Sequence, residues 1–282
     1  MTYCNVERAT IYYEDLGEGL PIVMLHGFTP DHRLMRGCME PIFRQREGWR
    51  RIYLDLPGMG QSKNYARIGS SDDMLQAVSE CIQLVLPDQD YILVGESYGG
   101  YLSRGLIESQ REHVLGAAFI CPVVIPEPEK RTIPDHCVVK ADTSFLKELS
   151  SEERTDFQEN SVVLDAYTWS RYQSEVRAGC LIADEIFLEK VKQNYALSFD
   201  IDQSRFEEPS IFLLGRQDAV VGYEDALNII DNYPRATVAI LDGAGHNLQI
   251  EQATHFNVLI SEWLDQVEES LTKSNRNWGQ SE

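Results

Sequence analysis

The sequence predicts an α/β protein, with a mostly parallel sheet covered by helices on both faces and one helical insertion. Three observations carry this reading. Short apolar runs alternate with longer helical periods along most of the chain. Two of those runs, Ile92-Leu93-Val94 and Ile211-Phe212-Leu213-Leu214, are apolar at every position, as strands covered on both faces must be. The alternation breaks between about residues 126 and 206, where strand signals vanish and helical ones continue. A chain of 282 residues is long enough to bury a sizeable core.

Taken in order, Thr10 to Glu14 and Pro21 to His26 read as the first strands, with Gly17 and Gly19 punctuating the turn between them. Asp31 to Arg46 reads as a helix, and Arg51 to Asp55 as a strand ended by Pro57-Gly58. Ser71 to Leu86 is a helix with Ser71 as its N-cap; Met74, Leu75, Val78, Ile82 and Val85 share one face. Tyr91 to Val94 is a strand, Tyr98 to Ser109 a helix, and Gly116 to Val124 an apolar strand. Pro122, Pro126, Pro128 and Pro134 then mark the entry to the insertion. Strands resume at Ile211 to Leu214, followed by a helix at Tyr223 to Tyr233, a strand at Thr237 to Leu241 and an amphipathic helix at Glu251 to Glu269. The expected organisation is a core of residues 1–125 and 208–270, a helical cap of residues 126–207, and a flexible polar tail of residues 271–282.

Charge narrows the partners. Asp and Glu number 45 against 25 Lys and Arg, a net charge of −20, and the sequence pI is about 4.7. Nucleic-acid binding needs a basic footprint, which is missing, and anionic lipid would repel such a surface. The longest apolar stretch, Leu115 to Ile125, is about half of what a membrane span requires. The expected partner is therefore a small-molecule substrate, with no nucleic acid and no membrane. The residues after Met1 lack the basic-then-apolar pattern of a secretory signal. The six cysteines are scattered, with no Cys-x-x-Cys and no metal-ligand spacing. Cytoplasmic localisation, no metal and no cofactor are the corresponding expectations.

Chemistry is concentrated in Gly95-Glu96-Ser97-Tyr98-Gly99, which closes a strand and opens a helix. Gly-x-Ser-x-Gly in that setting forms a sharp turn that presents the serine hydroxyl above the sheet. An alcohol is a weak nucleophile at neutral pH and needs a base. His246, in Gly243-Ala244-Gly245-His246, follows a strand and so lies on the same edge as Ser97. Its imidazole in turn needs a carboxylate to fix its tautomer. Asp218 follows the strand Ile211 to Leu214 and is the first choice; Asp225, inside the next helix, is the weaker alternative. His113 and His255 fall on expected helices, His136 at the entry to the insertion, and His32 is the one competing base near this edge. Two N–H donors are needed for a developing oxyanion. The expected donors are the backbone of Tyr98 and, from His26-Gly27-Phe28-Thr29-Pro30, the backbone of Phe28. His26 reads as a brace for that loop rather than a base.

On these residues the chain resembles the α/β-hydrolase superfamily. The marks are His26-Gly27-Phe28, Asp55-Leu56-Pro57-Gly58-Met59-Gly60-Gln61-Ser62, the turn around Ser97, Gly215-Arg216-Gln217-Asp218 and Gly243-Ala244-Gly245-His246, in the family order of nucleophile, acid and histidine. The resemblance implies the α/β-hydrolase fold and a structural role for Asp55 to Ser62. A serine nucleophile separates the chain from haloalkane dehalogenases and epoxide hydrolases of the superfamily, which use aspartate. The expected activity is hydrolysis of a small acyl substrate, most simply a carboxylic ester. The alternatives are aminopeptidase action of the proline-iminopeptidase kind, with Glu152, Glu153 or Glu175 holding an amine, C–C bond hydrolysis on the same triad, and ligand sensing without catalysis. Tyr167, Trp169 and Tyr172, among the aromatic residues of the insertion, are the candidate substrate contacts.

Overall fold

Strand order in the sheet decides where chemistry can sit. In the computed structural model, which describes residues 2–278, the elements before the insertion are β1 (Thr2–Asn5), β2 (Thr10–Leu16), β3 (Leu20–Leu25), α1 (His32–Phe43), β4 (Trp49–Leu54), α2 (Ser71–Val85), β5 (Tyr91–Glu96), α3 (Tyr98–Gln110) and β6 (Val114–Ile120). The insertion holds β7 (Lys140–Ala141), α4 (Ser151–Asn160), β8 (Val163–Leu164), α5 (Ala166–Arg171), a π-helical turn at Tyr172–Arg177, α6 (Ala178–Cys180) and α7 (Glu185–Lys192). After it come β9 (Ser210–Gly215), α8 (Glu224–Leu227), β10 (Ala236–Leu241), α9 (Leu248–Glu251) and α10 (Ala253–Trp278).

The eight-stranded sheet has the order β1-β2-β4-β3-β5-β6-β9-β10. From β4 to β10 every neighbouring pair is parallel, and β1 and β2 add an antiparallel edge. The central strands β5 and β9 are buried at every residue, which is why their sequences carry no alternation. β4 lies on one side of β3 and β5 on the other, so the chain leaves β3 and β5 in opposite directions. Right-handed crossovers then put α1 on one face and α3 on the other. α10 packs with α1, and α2 packs with α3. The loops after β3 and β5 diverge at this reversal, leaving a crevice at their carboxyl ends.

Local signals set most boundaries. The side chain of Asp31 accepts from the Arg33 N–H at the start of α1. Ser70, not Ser71, caps α2, accepting from the Asp73 N–H, and Asp72 and Asp73 complement the helix dipole. Four features differ from the sequence reading. β1 adds an edge strand ahead of Thr10. The insertion contains the short parallel pair β7–β8, too brief to show a period of two. The helix expected over Tyr223 to Tyr233 shrinks to one α-turn and a 3-10 turn at Ile230–Asn232, because Asn228, Asp231 and Asn232 favour turns over helix. Finally, α10 runs past Leu271 to Trp278 instead of giving way to a tail. Leu271 packs against the core, and Lys273 pairs with Glu269 one turn back. The remainder of the expected tail, residues 279–282, lies outside the described residues.

The insertion has its own small apolar cluster of Leu146, Phe157, Leu164, Trp169 and Tyr172. It is pinned to the core by hydrogen bonds from Asp184 N–H to the Gly58 carbonyl (2.9 Å), Lys190 Nζ to the Ile68 carbonyl (2.7 Å) and Leu197 N–H to Tyr101 Oη (2.8 Å). No helix among the described residues is long and apolar enough to cross a membrane.

Candidate active site

β5 ends in a strained turn. Ser97 has φ +52° and ψ −114°, a conformation costly for a side-chain-bearing residue, so it must be held by its surroundings. Its N–H donates to the Ile120 carbonyl (2.9 Å), and its carbonyl accepts from Val123 (3.1 Å). The flanking glycines make the turn possible. A Cβ at Gly95 would lie 2.4 Å from the Gly99 carbonyl oxygen, and one at Gly99 would lie 2.1 Å from that of Leu25.

The structure brings Ser97, His246 and Asp218 into one hydrogen-bonded line. Ser97 Oγ lies 2.9 Å from His246 Nε2, and His246 Nδ1 lies 2.9 Å from Asp218 Oδ2. Asp218 is fully buried, and its Oδ1 accepts from the Val220 (2.8 Å) and Val221 (3.0 Å) N–H groups. Burial alone would raise its pKa and favour the neutral acid. The neighbouring imidazole and those two N–H groups outweigh burial and hold the carboxyl below its usual range. Asp218 is therefore a carboxylate, so Nδ1 keeps its proton, and once the imidazole is neutral Nε2 is left to accept from the serine. Burial tends to lower the imidazole, but Asp218 and then Glu96 outweigh it and push His246 up to about 9.

Phe28 and Tyr98 stand on the loops that follow β3 and β5. Among the described residues, neither backbone N–H donates to another group. The Phe28 and Tyr98 rings meet edge to face at 5.2 Å, and the Tyr195 ring lies 4.9 Å from that of Tyr98, which braces the loop from behind. His26 Nε2 accepts from the Leu56 N–H (2.9 Å) while Nδ1 donates to the Gly27 carbonyl (2.7 Å), the bracing geometry read from the sequence. His32 points away from Ser97: its Nδ1 meets Asp55 Oδ1 at 2.7 Å. Asp55 also accepts from the His32 (2.8 Å) and Gln61 (2.7 Å) N–H groups, so this loop is tied internally. Asp225 accepts from the Thr132 N–H (2.9 Å) and is not near the imidazole line. His113, His136 and His255 are exposed and bond to Asp90, the Gln158 carbonyl and Gln252 respectively.

A cavity of about 630 Å³ opens between insertion and core, lined by Ser97 and His246 together with Phe28, Val123, Tyr172 and Tyr195. Of the three aromatic contacts expected from the sequence, only Tyr172 lines it. Tyr167 is exposed to solvent, and Trp169 is turned into the insertion's own cluster. The ordinary helical step explains the difference: Trp169 lies about 200° around the axis from Tyr167, and Tyr172 comes back to within about 60° of Trp169, so Tyr172 shares the insertion's cluster and also reaches the cavity. The expected amine-binding acids are also elsewhere. Glu152 is exposed, Glu153 closes a capping box with Ser150, and Glu175 is held bidentately by Arg171.

Two acids that sequence reasoning missed sit against the candidate line. Glu96 brings its Oε1 to 3.4 Å from His246 Nε2. Glu251 joins the insertion to the His246 loop: its Oε1 accepts from the Val162 N–H and its Oε2 from the Gly245 N–H, both at 2.6 Å. Burial pushes its carboxyl up to about 7 against the pull of those donors. Asn247 Nδ2 donates to the Asn160 carbonyl (2.8 Å) and Arg171 Nη1 to the Gln249 carbonyl (3.1 Å), so the same segment is tied to the insertion at two further residues. Glu251→Ala leaves two N–H groups without an acceptor. It is expected to lower unfolding stability by about 2–4 kcal/mol in urea titration, taking the loss of one to two buried charge-assisted bonds; a change under about 0.5 kcal/mol would mean the bridge carries no load.

A family model described as alpha/beta hydrolase fold matches residues 21–253. A 2-hydroxy-6-oxononadienedioate/2-hydroxy-6-oxononatrienedioate hydrolase from Paraburkholderia phymatum is 25% identical, over 91% of this chain and 91% of that protein. A proline iminopeptidase from Xylella fastidiosa is 22% identical, over 86% of this chain and 89% of that one. Among solved structures, an alpha/beta superfamily hydrolase from Oenococcus oeni PSU-1 superposes with a TM-score of 0.86 at 28% identity, covering 95% of this chain and 100% of that one.

Proposed function

The chain belongs to the α/β hydrolase family, and from that premise we propose that it is a serine hydrolase of small acyl substrates, carboxylic esters first among them. The observation that carries this reading is the Ser97–His246–Asp218 line, with both contacts at 2.9 Å. Ser97 Oγ attacks the acyl carbon as its proton passes to His246 Nε2, and Asp218 balances the imidazolium. The N–H groups of Phe28 and Tyr98 stabilise the oxyanion, the latter at the N-terminus of α3. The alkoxide leaves with the Nε2 proton. Water then gives a proton to the same nitrogen and its hydroxyl to the acyl carbon, and Ser97 is restored.

A second reading, C–C bond cleavage in a carboxylate-bearing substrate, draws support from one feature of the cavity. Arg131 lines it, and its guanidinium donates to the carbonyls of Ile125, Pro126 and Val220 and approaches the Tyr195 hydroxyl. No carboxylate among the described residues lies within ion-pair distance of it, so its charge is free for an anionic substrate. The dioate named for the Paraburkholderia relative is a substrate of that kind. Peptidase action has less support, since none of the three proposed amine-binding acids reaches the cavity.

A hydrolysis panel separates these readings. It compares p-nitrophenyl esters of increasing chain length, prolyl and alanyl arylamides, and 2-hydroxy-6-oxononadienedioate. The proposal expects the highest kcat/KM on a short or medium ester. A dioate preferred by more than about tenfold, which is about 1.4 kcal/mol of transition-state discrimination, would replace the ester reading with the second one. An arylamide preference would overturn both.

A further inference from the structure

Among the described residues, Glu96 is the one acid that meets the candidate base from the nucleophile's side. It is only 2% exposed, and its Oε1 lies 3.4 Å from His246 Nε2, the same nitrogen that faces Ser97. Its Oε2 is buried and has no hydrogen-bond partner. The carboxyl is fitted against the loop after β3, where a Cβ on Gly27 would come within 2.3 Å of Oε2. A buried carboxyl with an unpartnered oxygen costs stability, and a structural role would leave both oxygens bonded, as in Glu251.

We propose that Glu96 is a second proton-holding partner of His246, competing with Ser97 for the Nε2 edge of the imidazole and setting the lower pH limit of the reaction. The inference rests on the reading of Ser97 as nucleophile and His246 as its base. With one proton left on the pair, that proton lies between Glu96 and Nε2, and Nε2 cannot accept from Ser97. The base is free only when both protons have gone. Burial, with Asp218 as a like charge, favours the protonated Glu96, whereas His246 and the Gly27 N–H, which lies close without meeting hydrogen-bond geometry, oppose this. Asp218 and Glu96 favour the imidazolium, opposed by burial and by Arg131.

The other groups facing the pair do not replace it. Cys121 offers its sulfur within 4.8 Å of the Asp218 and His246 ligand atoms, but burial keeps its thiol protonated. Tyr195 and Cys38, which also feel the Glu96 charge, are held neutral by burial. Glu96 is thus the titrating neighbour on the Nε2 side, Asp218 that on the Nδ1 side.

The test follows the rate of Ser97 labelling by a short-chain alkyl fluorophosphonate from pH 5 to pH 10, in the wild-type chain and in Glu96→Gln. In the wild type, log rate against pH is expected to steepen from a slope of one toward two as pH falls, because two protons must leave. In Glu96→Gln the slope stays at one, and the acid limb moves to lower pH by about 1–3 pH units, the usual influence of an adjacent charge. If the variant fails to fold, as read by circular dichroism, the wild-type slope alone decides. A wild-type slope of one throughout, or an unmoved limb in the folded variant, overturns the proposal while leaving Ser97 as nucleophile. No labelling of the wild type at any pH overturns that parent reading and this proposal together.

Discussion

Ser97→Ala is expected to lower kcat/KM toward an activated ester by about six orders of magnitude, with the folded structure retained. The alanine side chain fits the same turn, so the loss reports chemistry rather than packing. The φ of +52° at this position is no easier for alanine than for serine, and a melting temperature within a few degrees of wild type is the accompanying control. What survives is the contribution of binding and of the two oxyanion donors, about 10³–10⁴ over water. A variant that keeps more than about one per cent of wild-type turnover would show that another group performs the attack.

Asp218→Asn is expected to cost about four orders of magnitude in kcat. The geometry makes the reason specific. Asp218 Oδ1 is already committed to the Val220 and Val221 N–H groups, so an asparagine there keeps its carbonyl oxygen on those donors. Its amide nitrogen then faces His246 Nδ1. The amide donates, Nδ1 must accept, and the ring proton moves to Nε2, where it meets the Ser97 hydroxyl. The base is spent before the reaction begins, and the imidazolium loses its counter-charge. KM should change far less than kcat, since Asp218 is buried behind the ring. A loss below about tenfold would mean that Glu96, not Asp218, is the main partner of the imidazole.

These effects trace to features that differ in how openly the sequence shows them. The serine turn, the histidine loop and the acid loop each follow an apolar run that ends in a short motif, and such runs are buried strands whose carboxyl ends share an edge. Position along the chain was therefore enough to bring Ser97, Asp218 and His246 to one place. His26 was readable as a brace because it precedes Gly27 at a strand end. Glu96 was not, because the variable position of Gly-x-Ser-x-Gly carries no signal of its own; its meaning comes from the approach of Gly27, a contact made by the order of β3 and β5. Glu251 was hidden for a similar reason, since one of its two partners, Val162, lies 89 positions away in the insertion.

The insertion was the least legible part. Its helical character came through, but the faces of its helices did not. Tyr167, Trp169 and Tyr172 fall within six positions, yet Tyr167 faces solvent, Trp169 the insertion's own cluster and Tyr172 both that cluster and the cavity. Regular helical steps put Tyr167 opposite Trp169, but which of the two faces turns inward is set by what packs beneath the helix, and the insertion's own pattern carries no sign of that.

A reactive hydroxyl at residue 97 is measured most directly by intact-mass and peptide analysis after exposure to a fluorophosphonate at mildly alkaline pH. One adduct per chain, located on the peptide containing Ser97 and missing from Ser97→Ala, is the expected outcome. A folded chain that takes up no adduct, as a ligand-sensing protein on this fold would, or one whose adduct maps to another residue, would contradict it.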